Sequence, residues 1–299
     1  MNAATNAPAD DVPLVSVAGL RVVLPTGERS EVEAVRRVDL VIRDGERVGV
    51  VGESGSGKSV TGRAIAGLLP TSPRVRVSGS IRVGGREMID APPAAWDEIR
   101  RTRVGMIFQD PLTYLNPTMR VGKQVAESIP ADREGGDAAR TRAVHRFLEQ
   151  AGLENPAEVA ARFPHELSGG MRQRVLIAIA IAKLPSLIIA DEPTTALDAT
   201  VQQRVLKTLD ATVAELGTSL MLISHDLAVV AGMTDRIYVM YGGRVVEDGP
   251  TEQVLHEPRH PYTRALLRSV RSLTDDGVDL YSIPPELRRE LAEEVADAS

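Results

Sequence analysis

Gly52-Glu-Ser-Gly-Ser-Gly-Lys-Ser59 stands between the apolar run Arg47-Val-Gly-Val-Val51 and a helix-like run from Val60 to Leu69. The octet has the form G-x-x-x-x-G-K-S, and each residue type in it answers a need of a polyphosphate. Gly52, Gly55 and Gly57 tolerate positive φ and let the backbone come close. The loop N–H groups, those of Glu53, Ser54 and Ser56 included, can then point at phosphate oxygens. Lys58 sets a cation beside the β- and γ-phosphates, and the Ser59 hydroxyl can complete a magnesium shell. A buried strand before the loop and a helix after it would add the helix dipole to the same anion site. A flexible Gly/Ser loop is the plain alternative. A chance match to the full pattern is on the order of one in a hundred for a chain of this size, and Lys occurs only at 58, 123, 183 and 207. The stretch implies binding of a nucleoside triphosphate.

A second segment answers the first. Leu184-Pro-Ser-Leu-Ile-Ile-Ala190 reads as a buried parallel strand, ending in Asp191-Glu192-Pro193. Its carboxyl end would deliver two acids to the nucleotide. Asp191 suits the magnesium shell, and Glu192 suits a general base that orients the attacking water. Alone, the pair could be a charged loop after a core strand. Together with the phosphate loop it describes a nucleotide hydrolase on a doubly wound parallel sheet.

Composition excludes several classes. The chain has 299 residues and a net charge of −6, which supplies no electrostatic argument for nucleic-acid binding. Cysteine is absent, so disulfides, thiolate metal sites and cysteine nucleophiles are excluded. No apolar run approaches the ~20 residues needed to span a bilayer, and the first residues carry no basic-then-apolar secretory pattern. Residues 1–12, rich in Ala, Asn, Pro and Asp, read as a disordered lead-in. His256 and His260 have i,i+4 spacing, but Pro258 between them and the lack of an adjoining Glu argue against a zinc site.

Leu167-Ser168-Gly169-Gly170-Met171-Arg172-Gln173 resembles the signature motif of ATP-binding-cassette (ABC) ATPases. A hydroxyl and bare N–H groups before a helix starting near Met171 would face an anion. In that family the signature closes over the ATP held by the other subunit. Gln109, in Met106-Ile-Phe-Gln-Asp-Pro111, resembles the Q-loop glutamine that reaches magnesium or the attacking water. His225, in Leu220-Met-Leu-Ile-Ser-His-Asp226, resembles the switch histidine beside the γ-phosphate. Asp198, in Thr195-Ala-Leu-Asp198, resembles the D-loop aspartate that connects the two sites of a dimer. The resemblance implies an α/β P-loop NTPase of ABC type, with a RecA-like core, an antiparallel β subdomain, an inserted helical subdomain and a C-terminal extension.

More selective wording resembles the oligopeptide/dipeptide/nickel importer branch. It lies in Phe108-Gln-Asp-Pro-Leu-Thr-Tyr-Leu-Asn-Pro117, Phe163-Pro-His-Glu-Leu-Ser-Gly-Gly-Met-Arg-Gln-Arg174, Thr194-Thr-Ala-Leu-Asp-Ala-Thr-Val201 and His260-Pro-Tyr-Thr-Arg-Ala-Leu-Leu267. Two departures matter. The family usually has an aromatic residue upstream of the phosphate loop that stacks on adenine; that position falls near Leu24, with no aromatic close by. Adenine would rest on aliphatic surface, losing about 1 kcal/mol or more of stacking, and base selectivity would loosen. Members of the branch also often carry cysteines after a Pro-Pro-containing stretch. Here Ile283-Pro-Pro-Glu286 is followed by none, which rules out an iron–sulfur cluster, and Leu287 to Ala298 reads as a short acidic helix.

The organisation expected is an ABC ATPase domain over 13–249, a helical subdomain over about 94–166, and a C-terminal extension over 250–299. Arg43-Asp-Gly45 and Val83-Gly-Gly-Arg86 suggest β turns early in the chain, and Arg140 to Glu149 has helical periodicity after a Gly135-Gly136 break. No internal repeat is visible. The resemblance implies Glu192 and His225 as catalytic residues. Ser59, Gln109 and Asp191 would serve magnesium. The loop residues would hold ATP, together with Gln109, Ser168, Gly169, Gly170 and Asp198. Partners would be two transmembrane permease subunits, a second cassette (a paralogue rather than a homodimer) and an extracytoplasmic solute-binding protein, at the cytoplasmic face of the membrane. The alternatives are an exporter cassette or a soluble ABC ATPase of DNA repair, chromosome organisation or translation. Missing zinc cysteines, the short interval from Lys58 to Asp191 without sustained heptads, and the single cassette oppose the soluble readings.

Overall fold

Alternating burial makes β1 (Val15–Pro25) and β2 (Glu31–Ile42) a half-covered antiparallel pair. β3 (Arg47–Val51), almost wholly buried, leaves that sheet for a second one. The first sheet is completed by β4 (Arg76–Val83) and the short β5 (Arg86–Glu87), in the order β2-β1-β4-β5. The computed structural model describes residues 12–27, 30–72, 74–130, 136–195 and 197–271. The reading of residues 1–11 as a lead-in, Gly135 of the glycine break and the acidic segment from Leu287 lie outside the described residues.

The second sheet adds β6 (Val104–Ile107), β7 (Leu187–Asp191), β8 (Ser219–Ser224), β9 (Arg236–Tyr241) and β10 (Arg244–Pro250). Its order is β10-β9-β3-β8-β7-β6, parallel throughout except for the β10–β9 hairpin over the Gly242-Gly243 turn. Every residue of β7 and β8 is buried, as a parallel strand covered on both faces requires. The faces sort by the two-residue period. Leu187, Ile189, Met221, Ile223, Tyr238 and Met240 pack toward the antiparallel sheet. Ile188, Ala190, Leu220, Leu222, Ile237 and Val239 pack toward the helices of the other layer.

Helix α1 (Lys58–Ile65) starts at the end of the phosphate loop and stops four residues before the expected Leu69. The stop is at Gly67, whose φ of +65° ends the helix, and an added Cβ there would come within 2.2 Å of the Trp96 ring. Strand β7 likewise begins at Leu187 and not at Leu184, because Leu184 sits at φ 51°, outside any strand conformation.

The range 94–166 is not a continuous helical insertion. Helix α2 (Pro93–Thr102) buries Ala95 and Ile99 in the cluster under the antiparallel sheet, and β6 is the edge strand of the parallel sheet. Helices unbroken by sheet strands begin only at α3 (Pro111–Tyr114). They continue with α4 (Val121–Glu127), α5 (Asp137–Gln150), α6 (Pro156–Ala161) and a 3₁₀ turn at Pro164–Glu166. α7 (Gly169–Ile181) runs from this layer back under the sheet, packing on α3, α4, α5 and β6 as well as on α8 (Ala199–Leu216).

Past β8 come α9 (Leu227–Met233) and, after β10, α10 (Thr251–His256) and α11 (Pro261–Arg271). The described part of the segment beyond Pro250, expected as an accessory extension, joins the main core. Val254, Tyr262, Ala265 and Leu266 are buried in the same cluster as β8 and β9. Among the described residues no helix is long and apolar enough to cross a membrane.

At Gly49 a Cβ would lie 2.2 Å from Val230 Cγ1 and 3.1 Å from Thr234 Oγ1, so β3 and α9 meet at a position only glycine fills. Gly49→Ala should destabilise the chain by about 1–3 kcal/mol, read as a lower thermal unfolding midpoint. An unchanged midpoint would show that the β-branched Val230 yields without cost.

Candidate active site

The parallel register brings four strand ends to one edge. Val51 pairs with Ser224, Asp191 with Ile223, and Ile107 with Ala190. The phosphate loop, Glu192, His225 and Gln109 therefore leave the carboxyl ends of β3, β7, β8 and β6 side by side, where open α/β sheets bind ligands. Below them opens a cavity of about 490 Å³, lined by Ser54, Gly55, Gly57, Lys58, Ser59, Gln109 and Glu192 among others.

The loop is wound around its own lysine. Lys58 Nζ donates to the carbonyls of Gly52 and Glu53, both at 2.8 Å, and the residue is only 4% exposed. Burial lowers the Lys58 pKa, while the nearby Glu192, Asp191 and Glu53 charges oppose the drop. Gly57 adopts φ 98°, and a Cβ there would meet the Ala34 carbonyl at 2.5 Å. Only glycine fits this turn into α1. Ser54, Gly55, Gly57, Lys58 and Ser59 line the cavity; Gly52 does not, and Glu53 and Ser56 line a smaller neighbouring depression of about 380 Å³. The Glu53 N–H, expected to face phosphate, instead donates to the Tyr262 hydroxyl at 2.9 Å.

Ser59 Oγ donates to Asp191 Oδ1 at 2.6 Å, joining the loop to the end of β7. Asp191 is 1% exposed, and its other oxygen, Oδ2, has no hydrogen bond and lies 3.6 Å from an Arg63 guanidinium nitrogen. Burial raises the Asp191 pKa; the Ser59 hydrogen bond, Arg63 and Lys58 oppose the rise, and Glu192 adds to it. A buried carboxylate oxygen without a hydrogen bond, next to a hydroxyl and a phosphate cradle, is the donor set of a hard divalent cation.

Glu192 Oε2 is where the other residues meet. It accepts from Thr195 Oγ1 at 2.8 Å and from Gln109 Nε2 at 3.3 Å, and His225 Nδ1 lies 3.4 Å away. The Glu192 backbone is held at φ 46°, a conformation non-glycine residues rarely take, with its N–H bonded to the Ile223 carbonyl at 2.9 Å. Gln109 is steadied from behind. Gln173 of α7, 1% exposed, donates to the Phe108 carbonyl at 3.1 Å, and Phe108 stacks on Tyr114 at 3.6 Å.

Ser168, Gly169, Gly170 and Asp198 do not line this cavity. Ser168 caps α7, its hydroxyl accepting from Met171 N–H at 3.3 Å, so the helix begins at Gly169 rather than near Met171. Asp198 caps α8 through Val201 N–H at 3.0 Å. Ser168, Gly169 and Asp198 are exposed, and Gly170 is buried where a Cβ would come 2.4 Å from Val201 Cγ1. Leu24, where adenine was expected to rest, is not part of the lining. Its ladder partner Val32, 42% exposed, lines the cavity with Glu33, Ala34 and Arg36, and no aromatic side chain is among the lining residues.

Sequence reasoning assigned no role to Thr195, Gln173 or Tyr262. All three stood inside quoted motifs, but only the folded chain shows what their side chains reach.

These parts make a P-loop nucleotide hydrolase. A family model described as ABC transporter matches residues 35–195, and one described as oligopeptide/dipeptide transporter, C-terminal region, matches 246–294. The oligopeptide transport ATP-binding protein OppD of Bacillus subtilis is 45% identical over 262 residues, covering 86% of this chain and 73% of that protein. OppD of Salmonella typhimurium is 42% identical over 281 residues, covering 94% and 83%. Among solved structures, the dimeric post-hydrolysis state of the ATP-binding cassette MJ0796 bound to ADP and Pi aligns with TM-score 0.69 and 29% identity, over 79% of this chain and 98% of that one. The chain belongs to the ATP-binding proteins of ABC transporters, in the oligopeptide/dipeptide branch, and is an ATPase.

Because the folded-state pKa of Asp191 lies above its unfolded value, the ionised carboxylate costs stability at neutral pH. That cost vanishes below the ordinary carboxylate range, where both states are protonated. Asp191→Asn keeps an acceptor for Ser59. It should raise the unfolding midpoint of the nucleotide- and metal-free chain at pH 7, lose that advantage at acid pH, and abolish hydrolysis. A lower midpoint at pH 7 would show that the Arg63 contact outweighs burial.

Proposed function

We propose that this chain is the ATP-hydrolysing subunit of an importer that takes up peptides or a related small solute. Permease subunits in the membrane would form the path, a solute-binding protein outside would deliver the cargo, and the cassette would sit at the cytoplasmic face. The observation that carries the hydrolytic part is the convergence of Thr195, Gln109 and His225 on one oxygen of Glu192 beside the phosphate loop. The names of the relatives and the matched C-terminal region support the peptide class.

In this reading Lys58 exchanges the Gly52 and Glu53 carbonyls for the β- and γ-phosphates of ATP, and the loop N–H groups from Ser54 onward complete the cradle. Ser59, Asp191 and Gln109 would hold magnesium directly or through water, and the ion when bound offsets charge on the phosphate oxygens. Glu192 takes a proton from the attacking water as its oxygen bonds to the γ-phosphorus. The bond to the β–γ bridging oxygen breaks, and ADP leaves with that electron pair. His225, 60% exposed at its side chain, is free to turn from Glu192 toward the γ-phosphate.

Ser168, Gly169 and Asp198, exposed and outside their own chain's cavity, would meet the ATP of a second cassette, a paralogue or another copy. ATP would then hold two cassettes together, and hydrolysis would part them. Leu112 and Tyr114 in α3, 61% and 43% exposed just after Gln109, offer the permease an apolar handle on the catalytic loop.

Glu192→Gln should bind ATP as the parent does, lose hydrolysis by at least ~100-fold, and accumulate as a closed dimer in size-exclusion chromatography with ATP. Normal turnover would remove Glu192 from its role. Purified in mild detergent from native membranes, the tagged chain should bring down multi-span permeases and a second cassette. Leu112→Asp should weaken that recovery while leaving ATP binding unchanged. Recovery from the cytosol alone, or with nucleic acid, would overturn the importer reading.

A further inference from the structure

The C-terminal region reaches the phosphate loop directly, through one tyrosine. Tyr262 at the start of α11 is 0% exposed, the bulkiest of the fully buried side chains, and its hydroxyl accepts the Glu53 N–H at 2.9 Å. Glu53 is the first residue of the loop after Gly52. Its carbonyl accepts Lys58 Nζ at 2.8 Å and Ser56 N–H at 3.2 Å. Residue 53 is therefore gripped from both ends, by Tyr262 on its N–H and by the loop lysine on its carbonyl.

The surroundings are rigid where the grip is applied. Gly52 adopts φ 151°, and a Cβ there would come 2.1 Å from the Met240 carbonyl of β9, so strand and loop are in backbone contact. The next residue, Tyr241, packs its ring against Tyr262 with centroids 4.6 Å apart. Tyr262 is itself placed by the turn before it. The His260 ring nitrogen Nδ1 accepts Tyr262 N–H at 3.2 Å, and the Glu247 carboxylate of β10 accepts the N–H groups of Arg259 at 2.7 Å and His260 at 2.9 Å. A continuous set of bonds thus runs from β10 through the His260-Pro-Tyr turn to the phosphate loop.

We infer that Tyr262 is a positioning residue for nucleotide binding: its hydroxyl fixes the Gly52–Glu53 peptide, so that Lys58 and the N–H groups from Ser54 to Ser59 converge on the phosphates. The inference rests on the ATPase reading and adds a residue that touches no part of the nucleotide. The grip acts before and after hydrolysis alike, because the loop holds the β-phosphate that ATP and ADP share. It belongs to binding and not to the chemical step, which Glu192 performs on the far side of the cavity lining. Removing the hydroxyl takes the acceptor from a half-buried N–H and lets the first peptide of the loop rotate.

The test uses the full-length chain, with fluorescent ATP and ADP analogues titrated in the presence of magnesium, ATPase kinetics, and thermal unfolding without nucleotide. Tyr262→Phe retains the ring and its packing on Tyr241. It should weaken ATP and ADP equally, by about fivefold, the size expected for one lost hydrogen bond. The KM for ATP should rise by the same factor, with kcat within about twofold and the unfolding midpoint within about 2 °C of the parent. Tyr262→Leu, which also removes the ring, should lower the midpoint as well; if it fails to fold, the phenylalanine variant still decides. Parental affinity in Tyr262→Phe would overturn the inference, whatever happens to its midpoint. So would a fall in kcat with KM unchanged. A parent chain that binds no ATP would instead overturn the underlying ATPase reading, and Tyr262 with it.

Discussion

The 2.6 Å hydrogen bond from the Ser59 hydroxyl to Asp191 joins the two halves of the site, because Ser59 opens the helix after β3 and Asp191 ends β7. Those strands are not neighbours; β8 lies between them. The bond can form only if all three strands end level, and the parallel register ends them level. A carboxylate buried to 1% exposure is expensive on its own account. It is tolerated because a hydroxyl on one oxygen and a guanidinium facing the other answer part of it. The nucleotide pocket is in this sense a place where the fold keeps an incompletely compensated charge.

A second constraint couples chemistry to the helical layer. Glu192 is presented in a strained backbone conformation, and its Oε2 collects Thr195 from its own loop, Gln109 from the end of β6 and His225 from the end of β8. Gln109 in turn hangs on a segment held by buried Gln173 of α7 and by the Phe108–Tyr114 stack. A shift of α7 or α3 would move the amide that touches the Glu192 carboxylate. Packed contacts thus connect the exposed apolar side chains of Leu112 and Tyr114 to Gln109, and through it to Glu192.

The C-terminal region acts on the opposite wall. Its helices share the buried cluster of β8 and β9, and Tyr262 reaches the first N–H of the loop. The phosphate cradle is thus supported from one side by α1 and the parallel strands, and from the other by a segment more than two hundred residues away in the chain. Truncating that segment before Tyr262 would remove core volume as well as an acceptor.

Much of the candidate site was legible in the sequence because the proposed chemistry demands particular residues at short spacings. Gly52 to Ser59 must be glycine-rich with one lysine and one hydroxyl, and Asp191-Glu192 must follow a buried strand; both are local requirements. The apolar runs before Gly52 and before Asp191 were legible as strands for the same reason. Ends were less legible. Gly67 ends α1 in a left-handed conformation under the Trp96 ring, and Leu184 is kept out of β7 by a turn that hydropathy does not register. The helical layer looked longer than it is, since nothing local marks Val104–Ile107 as an edge strand of the core sheet. Which neighbour meets Glu192, that Val32 and not Leu24 lines the cavity beside the phosphate loop, and that the Glu53 N–H belongs to Tyr262 were decided by tertiary structure alone. Those contacts depend on register between strands and on packing between distant segments, and a one-dimensional pattern carries neither.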